Sequence, residues 1–364
     1  MFSHIDPARY DQQLEEQQQQ MTELFSEFST LPFDLYKSEP LHYRQRAEFR
    51  VWHEGDDLYY IMFDQATKQK FRVDHFPVAS ELINKLMAAL LDNIRNNETL
   101  RRKLFQVDFL TTLSGEAVIS LLYHKQLDDQ WLAECQKLKQ IFSAICPTNF
   151  IGRARKQKLI VDQDYVNEKL TVDGKEFRYQ QIENGFTQPN AKVNEQMLAW
   201  ARHATKNKGG DLVELYCGNG NFSIALADNF KRVLGTEISK TSVKSAQKNI
   251  ADNNLTNVEI IRMSSEEFSQ AMNGEKAFRR LNDLDLTSYD YETVLVDPPR
   301  AGLDPDSVAL VSRFEHIIYI SCNPETLADN LKTLTQTHNI TNMALFDQFP
   351  YTHHIETGVI LTRK

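Results

Sequence analysis

Cysteines are scarce in this sequence, and their spacing excludes several kinds of site. Only Cys135, Cys146, Cys217 and Cys322 occur in 364 residues, and no two are spaced as in a CxxC metal or cluster motif. A disulfide framework, a zinc finger and a four-cysteine iron–sulfur cluster are therefore not expected. No metal site is predicted either.

Long apolar stretches are also missing. The longest runs, such as residues 86–91, fall far short of the roughly 20 residues that a membrane span requires. The N-terminal MFSHIDPARYDQQLEEQQQQ has no basic segment followed by an apolar core, so it does not read as a secretory signal. We therefore expect a cytoplasmic protein that does not bind a membrane.

Positive charge is not in excess. The 41 Lys and Arg residues against 50 Asp and Glu give a net charge of −9, which gives no global sign of a nucleic-acid binder. With 41% hydrophobic and 25% charged residues, the composition is that of an ordinary globular protein. The length favours one large domain or two ordinary ones.

The first half has the pattern of an α+β domain with an antiparallel sheet. Residues 8–28 are rich in Gln and Glu and predict an exposed helix. Two further helices are predicted at 80–95 and 129–145. Strands are predicted from β-branched and aromatic runs, with a hairpin turn at residues 54–57; these runs are 46–52, 58–63, 107–113 and 116–123.

The second half changes to short apolar strands that alternate with helical segments, which is typical of a doubly wound, Rossmann-like α/β sheet. Interruptions near Asp173-Gly174 and Gln188-Pro189 lead us to expect domains of residues 1–180 and 181–364. The predicted strands are 212–216, 232–236, 258–262, 293–297, 316–321, 343–347 and 358–362, and the predicted helices are 191–204, 220–230, 240–252 and 324–336.

The first strand of this second half leads into a glycine turn. Gly218 and Gly220 permit a sharp turn with close approach of a ligand, but Ser223 replaces the third glycine of the dinucleotide fingerprint. The next strand ends at Glu237, where a carboxylate can accept both hydroxyls of a ribose. A nucleoside without a pyrophosphate fits this pattern better than a dinucleotide does, although Glu237 could also be a solvated strand end.

Two more predicted strands are followed by chemically reactive side chains. One is followed by Asp297-Pro298-Pro299-Arg300 and the next by Cys322-Asn323-Pro324. In an open α/β sheet both ends lie at the carboxyl edge, where ligands bind. A thiol at that edge is placed as a nucleophile, whereas most free cysteines are small buried apolar groups. The residues alone leave both interpretations of Cys322 open.

Five segments of the second half carry a recognisable pattern. They are FTQPN at 186–190, ELYCGNG with its glutamate, DPPR at 297–300, SCNP at 321–324 and FDQFPYTHHIE at 346–356. Together and in this order they resemble the family of RNA uracil-5-methyltransferases. The run HYRQRAEFR at 42–50 is similar to the tRNA-specific branch. Ribosomal-RNA members commonly carry an iron–sulfur cluster or an added RNA-binding barrel, and this sequence has the motif of neither.

The resemblance implies a mechanism and a cofactor. Cys322 would be the nucleophile that adds to carbon 6 of uracil, and Glu356 the base that removes the proton from carbon 5, with His353 and His354 as competing candidates. The cofactor would be S-adenosyl-L-methionine. Its expected contacts are Gln188, Tyr216, Gly218, Asn221, Glu237 and Asp297.

Local basic clusters predict RNA binding despite the acidic total. They lie around residues 37–50, 95–103 and 153–158, and phosphate contacts supply most sequence-independent affinity. Phe105 is the best candidate for stacking on a base, whereas Phe49 and Trp52 could equally fill a core. The candidate contacts to substrate RNA are Phe105, Arg44, Arg46, Arg50 and Arg300.

The resemblance to the tRNA-specific branch implies methylation of a uridine in the tRNA T-loop, at conventional tRNA position 54, to 5-methyluridine. A T-loop-like uridine of tmRNA is a possible second substrate, and no obligate protein partner is predicted. The alternatives are the same chemistry on 23S ribosomal RNA, or a non-catalytic module that assists tRNA folding. Amino-group methylation is a poorer match, because Arg300 stands where such enzymes have an aromatic residue and Cys322 would have no role.

Overall fold

The computed structural model describes residues 2–64 and 66–364, which divide into two units. The first unit consists of the N-terminal residues up to Pro7, Glu39–Lys169 and Gln180–Ala191. The second consists of Ala8–Ser38, Leu170–Tyr179 and Lys192–Lys364. The chain thus passes between the units more than once, and not only near the expected boundary at 180.

Helices and strands account for most of the described residues. The helices are α1 (Tyr10–Phe25), α2 (Glu81–Ile94), α3 (Glu98–Arg101), α4 (Asp129–Phe142), α5 (Ala191–Thr205), α6 (Asn221–Leu226), α7 (Lys240–Asp252), α8 (Ser265–Met272), α9 (Pro305–Val311) and α10 (Pro324–Thr337). The strands are β1 (Phe33–Tyr36), β2 (Arg46–Glu54), β3 (Asp57–Phe63), β4 (Lys70–Arg72), β5 (Leu104–Thr111), β6 (Ala117–Tyr123), β7 (Thr148–Ala154), β8 (Gln157–Ile160), β9 (Tyr165–Val172), β10 (Lys175–Ile182), β11 (Asp211–Leu215), β12 (Arg232–Glu237), β13 (Val258–Arg262), β14 (Tyr291–Val296), β15 (His316–Ser321), β16 (His338–Phe346) and β17 (Glu356–Arg363).

The first unit is built on a sheet in the order β4-β3-β2-β5-β6-β7-β8. Along β2, buried residues alternate with exposed ones, so one face of the sheet turns to the core and the other to solvent. The core face packs against α2 and α4, whose first turns are capped by Ser80 and Asp128. All strand pairs are antiparallel except β6 and β7, which run parallel. The expectation of a purely antiparallel sheet is corrected at that one pair, because α4 makes the crossover between β6 and β7.

The second unit is built on a sheet in the order β1-β16-β17-β15-β14-β11-β12-β13. Strands β11 to β15 are parallel, and β17 enters antiparallel between β15 and β16. The order reverses between β11 and β14, which makes this the point where a doubly wound sheet opens a crevice at its carboxyl edge. The predicted doubly wound α/β class is confirmed.

The sequence analysis missed the short strand β1. Its four residues pair in parallel with β16, from Phe33 against Met343 to Tyr36 against Phe346. This strand and α1 therefore belong to the second unit, although they come from the N-terminus. Strands β9 and β10, which form a separate two-stranded sheet, were also missed.

No helix in the part of the chain that the structure describes is both long and apolar enough to cross a membrane.

Candidate active site

The turn after β11 leaves an open backbone surface. Tyr216, Gly218 and Gly220 all have positive φ, at 62°, 56° and 86°. A Cβ atom added to Gly218 would meet nothing within 4 Å, whereas one on Gly220 would lie 3.1 Å from the side chain of Ile224. Gly220 therefore turns the chain into α6, and the backbone at Gly218 is free for a ligand to approach.

Glu237 at the end of β12 holds this turn in place. Its Oε2 accepts a hydrogen bond from the Gly218 amide at 3.0 Å, and its Oε1 accepts one from the Ser239 amide at 2.7 Å. The next side chain, Ile238, is 67% exposed. A fixed carboxylate beside an exposed aliphatic side chain suits the ribose hydroxyls and the flat base of a nucleoside. The residues present thus fit the nucleoside part of S-adenosylmethionine, and sequence reasoning missed Ile238.

Tyr216 and Asn221 are held by protein partners. The Tyr216 hydroxyl lies 2.9 Å from the Ser265 hydroxyl. The Asn221 side chain exchanges two hydrogen bonds with Asn194 of α5, at 2.9 and 3.0 Å. These contacts anchor α5 and α8 to the glycine turn, and a contact of either residue with the cofactor stays a prediction.

Three chemically active side chains meet at the carboxyl edge of the second sheet. Asp297 follows Val296, which is paired with Tyr319 across β14 and β15. Cys322 follows Ser321, whose partner across β15 and β17 is Thr357. Glu356 precedes Thr357, and because β17 is antiparallel its first residue lies at the edge where β15 ends.

The charges of these groups act on one another. Burial, followed by the nearby Asp297, holds the pKa of Glu356 well above its ordinary value. Desolvation raises the pKa of Asp297 to about 7. Burial and the two carboxylates raise the pKa of Cys322 to about 11, and Arg300 opposes this rise. Burial and the nearness of the groups to one another therefore disfavour the charged forms of all three side chains in the resting site.

Arg300 links the DPPR loop to the histidine pair. One of its terminal nitrogens lies 3.0 Å from Nδ1 of His354, and Arg300 always carries its proton, so this imidazole nitrogen accepts. Partial burial, His353 and Arg300 lower the pKa of His354, which favours that neutral form. The backbone carbonyl of Arg300 accepts hydrogen bonds from Asn323 at 3.0 Å and from Thr326 at 3.2 Å. The loops that carry Asp297 and Cys322 are thereby tied together.

The surroundings of the other three cysteines indicate structural roles. Cys135, Cys146 and Cys217 are buried, whereas Cys322 is half-buried. Burial holds the pKa of Cys217 well above its ordinary value, and its sulfur would be 3.0 Å from a Cβ on Gly235. Within the described residues no group of three or more His, Cys, Asp or Glu side chains is arranged to hold a metal ion.

Gln188 lies in the Gln180–Ala191 segment of the first unit and is half-buried. Arg46 holds the turn just before it, because its guanidinium donates to the carbonyls of Glu183 at 3.1 Å and Gly185 at 2.8 Å. Arg44 donates to the carbonyl of Arg46 at 2.7 Å. Burial lowers the pKa of both arginines. Both thus have structural hydrogen bonds, and their contact with RNA stays a prediction.

Phe105 lies on the solvent-facing side of the first sheet, at an irregularity in the pairing of β5 with β6. Its ring stacks on His124 with centroids 3.9 Å apart, and the Arg50 guanidinium lies 5.5 Å from the ring centre. A bulge commonly re-aims a side chain in this way. The cavity beside the ring has a volume of about 540 Å³ and is lined by Phe105, residues 122–126 and residues 153–155.

The remaining aromatic and basic candidates divide between structure and surface. Phe49 is buried in the core of the first unit, as its strand position allowed. Trp52 is 38% exposed and the Lys70 ammonium lies 3.2 Å from its ring centre. Arg153 of the third basic cluster is paired with Glu183 at 2.6 Å, so its charge is partly neutralised.

Comparison with known proteins identifies a family whose model matches almost the whole chain. The family model described as tRNA (Uracil-5-)-methyltransferase matches residues 9–364. The chain belongs to the tRNA (uracil-5-)-methyltransferase family.

Individual relatives cover the full length. The tRNA/tmRNA (uracil-C(5))-methyltransferase of Colwellia psychrerythraea strain 34H is 71% identical over 364 residues, which is 100% of both chains. That of Shewanella amazonensis is 59% identical over 360 residues, or 99% of each chain. The crystal structure of Pyrococcus abyssi tRNA (uracil-54, C5)-methyltransferase in complex with S-adenosyl-L-homocysteine has a TM-score of 0.73 at 20% identity and covers 97% of this chain and 83% of that one.

These findings confirm the family, the fold class and the enzyme class expected from the sequence. The protein is a tRNA methyltransferase that acts on carbon 5 of uracil. The roles of individual residues in this family member stay predictions.

Proposed function

We propose that this methyltransferase converts the T-loop uridine at conventional tRNA position 54 to 5-methyluridine, and that it also accepts a T-loop-like uridine of tmRNA. The names of the full-length relatives, one of them 71% identical, support both substrates. The observation that carries the chemistry is the meeting of Cys322, Glu356 and Asp297 at one sheet edge.

Cys322 is the nucleophile in this proposal. Its thiol gives up its proton to water, and the thiolate adds to carbon 6 of the uracil ring. The electrons of the double bond between carbons 5 and 6 move toward carbon 5, which becomes nucleophilic. When bound, S-adenosylmethionine supplies the methyl group that carbon 5 takes from a sulfonium already activated for transfer. No metal is needed for this chemistry. Arg300 assists by favouring the thiolate of Cys322, because its positive charge lowers that pKa.

Glu356 is the base that completes the reaction. After transfer, carbon 5 still carries its proton, which the Glu356 carboxylate takes. The electrons of that bond form the double bond between carbons 5 and 6, and the bond from carbon 6 to sulfur breaks. Glu356 is favoured over His354 because its charge acts directly on Cys322, whereas Nδ1 of His354 is engaged by Arg300.

The cofactor would be held by the glycine turn and the ends of two strands. Glu237 would bind the ribose, Ile238 would pack on the base, and the backbone at Gly218 would close round the amino acid part. Asp297 completes the pocket, with Gln188, Tyr216 and Asn221 as further contacts. The open space above Gly218 and the fixed Glu237 carboxylate support this arrangement.

The first unit would bind the RNA. Phe105 with its partner His124 offers an aromatic surface for an unpaired base. Arg50 near the ring, and Lys125 and Arg155 in the lining of the adjacent cavity, supply positive charge for phosphates. A base that reacts inside a folded loop must first be extruded, which such stacking surfaces stabilise.

Nucleoside mass spectrometry of an unmodified tRNA transcript tests the proposal. Purified protein with S-adenosylmethionine should produce 5-methyluridine that maps to the T-loop, and a transcript with cytidine at position 54 should remain unmodified. A tmRNA fragment containing the T-loop-like uridine should also react. Product on 23S ribosomal RNA and none on tRNA would overturn the substrate assignment and leave the chemistry standing.

The Cys322→Ala variant separates catalysis from a folding-assistance role. We expect it to bind S-adenosylmethionine normally and to lose turnover by at least about a thousandfold, as removal of a covalent nucleophile does. Unchanged turnover would exclude the covalent mechanism.

A further inference from the structure

Helix α1 contacts the loop that leads to Glu356. Residues 347–355 join β16 to β17, and Glu356 is the first residue after them. Phe346, the last residue of β16, is the register partner of Glu356, so Asp347 begins the loop at the level of the base. The placement of Glu356 therefore depends on how this loop is held.

Two side chains of α1 hold the loop directly. The Tyr10 hydroxyl donates to Oδ2 of Asp347 at 2.7 Å, and Gln17 Nε2 donates to the carbonyl of Thr352 at 2.6 Å. Tyr10 and Gln17 are seven residues apart, with the buried Leu14 between them, so they lie on one face of the helix. The first bond secures the beginning of the loop and the second its turn.

The Tyr10 hydroxyl is fully engaged. It also accepts a hydrogen bond from the Ser38 amide at 2.9 Å, and its ring packs edge-on against Tyr351 with centroids 6.0 Å apart. Burial and Asp347 raise its pKa, so it keeps its proton and remains a donor.

Asp347 is buried and depends on this donor. Its backbone amide bonds to the carbonyl of Tyr36 in β1 at 3.0 Å, and within the described residues its other carboxylate oxygen, Oδ1, has no side-chain partner. Burial raises the pKa of this carboxyl, and besides Tyr10 only the backbone of Phe349 lowers it. A buried carboxylate with so few partners costs free energy if one is removed. Loss of the Tyr10 hydroxyl would therefore let this end of the loop move.

We propose that Tyr10 and Gln17 are positioning residues that hold Glu356 in register for removal of the carbon 5 proton. The proposal rests on the proposed function, in which Glu356 acts after methyl transfer. It assigns to the N-terminal helix a part in one chemical step, through the loop, without contact with the substrate.

This role makes a specific kinetic prediction. Formation of the bond from Cys322 sulfur to carbon 6, and of the bond from carbon 5 to the methyl group, do not need Glu356. The next step does: the bond from carbon 5 to hydrogen breaks, the proton passes to Glu356, the double bond re-forms and the thiolate leaves. A displaced base should therefore slow only this last step, and the methylated RNA should remain covalently attached to Cys322.

Rapid-quench kinetics with two labels separates the steps. The tRNA carries tritium at carbon 5 of its uridines and S-adenosylmethionine carries a ¹⁴C-methyl group. Denaturing gels detect RNA that is covalently bound to protein. The variants are Tyr10→Phe, Gln17→Ala and the double variant. Tyr60→Phe removes a buried hydroxyl that donates to the Met87 carbonyl at 3.1 Å, and Gln12→Ala removes a glutamine bond within α1 at 3.0 Å, so these are matched controls.

We expect methyl transfer in the double variant to stay within about twofold of the unmodified protein, while tritium release slows about tenfold, which corresponds to about 1.4 kcal/mol in barrier. Denaturation-resistant adduct should accumulate, and the controls should behave as the unmodified protein. The inference is wrong if both steps slow together, or if neither changes.

A Glu356→Gln variant distinguishes failure of the inference from failure of the proposed function. If Glu356→Gln accumulates adduct but the double variant does not, only the positioning role falls. If Glu356→Gln releases tritium at the normal rate, Glu356 is not the base and the inference falls with the proposed mechanism.

Discussion

Glu356 lies beside Cys322 because β17 runs antiparallel to β15, with Thr357 paired to Ser321. In a fully parallel arrangement the first residue of a strand would lie at the opposite edge from the last residue of its neighbour. The reversal of this one strand brings a carboxyl group to the thiol, and the charge of Glu356 raises the pKa of Cys322.

Arg300 should control the reactivity of the Cys322 thiol. Because its charge lowers the pKa of Cys322, Arg300→Gln should raise that pKa, reduce the thiolate fraction at pH 8 and slow alkylation by iodoacetamide severalfold. Intact-protein mass spectrometry follows the modification, since the other three cysteines are buried. Arg313→Gln, whose side chain bonds Asn273 on the surface, is the matched control. Equal rates in both variants would contradict this electrostatic role.

Buried Glu214 should make the stability of the protein fall as pH rises. Burial raises its pKa from 4.5 to about 8. Between those values the folded state binds more protons than the unfolded one, so the free energy of unfolding decreases with increasing pH. Between pH 6 and 8 the effect is on the order of 2 kcal/mol.

Glu214→Gln should remove that part of the pH dependence, because Ser223 can still donate to the amide oxygen. Urea unfolding at pH 6 and pH 8 measures it. An unchanged difference between the two pH values would show that Glu214 is not the group responsible.

Glu237→Gln should weaken binding of S-adenosylmethionine. The substitution removes a charged acceptor that serves the expected ribose and the backbone of the glycine turn, so Kd should rise about 10- to 100-fold. Isothermal titration calorimetry gives the value, and tRNA affinity should not change. Glu259→Gln, which changes an exposed side chain of β13, provides the control. A Kd equal to that of the control would place the ribose elsewhere.

Phe105→Ala should weaken binding of tRNA and leave cofactor affinity unchanged. One stacked base contributes about 1–3 kcal/mol, which corresponds to roughly 5- to 150-fold in Kd. Phe63→Ala removes a more exposed phenylalanine from the same unit and is the control. Electrophoretic mobility shifts would compare the two. If Phe63→Ala had the larger effect, the stacking surface would lie on that side of the sheet instead.

Arg50 and Arg46 should differ in their contribution to salt dependence. Arg50 is exposed, whereas Arg46 is engaged by the carbonyls of Glu183 and Gly185. Arg50→Gln should therefore reduce the slope of log Kd against log salt concentration by about one phosphate contact, and Arg46→Gln should not. Fluorescence anisotropy with tRNA from 50 to 200 mM salt tests this. A smaller slope in Arg46→Gln would restore its predicted role as a phosphate contact.

Much of the architecture could be predicted because its strands and turns have clear local sequence patterns. The glycine turn and Glu237 follow apolar strands, and the alternation of β2 shows which face is buried. Asp297 and Cys322 follow the ends of two predicted parallel strands, so the sequence also predicted that both lie at the carboxyl edge of the sheet. By contrast, β1 has only four residues, and its place beside β16 depends on a partner about 310 positions away, which no local pattern reveals.

The roles of single charged side chains were less predictable. Arg46 stands in a basic run that is typical of RNA binding, yet its guanidinium bonds to two backbone carbonyls. Nothing in the sequence singled out Ile238, and only its exposure next to Glu237 indicates a ligand surface. Hydrogen-bond partners that are distant in sequence decide such cases.

The sequence by itself determined the family and the doubly wound sheet, and it predicted the thiol and carboxyl groups that we propose for the reaction, because these depend on residue type and on spacing within short segments. Only the tertiary structure decided which strand direction brings Glu356 to Cys322, and that α1 holds the loop before Glu356 through Tyr10 and Gln17. The physical reason is that pairing register and buried hydrogen bonds join segments hundreds of residues apart, and their energies depend on the whole packed fold.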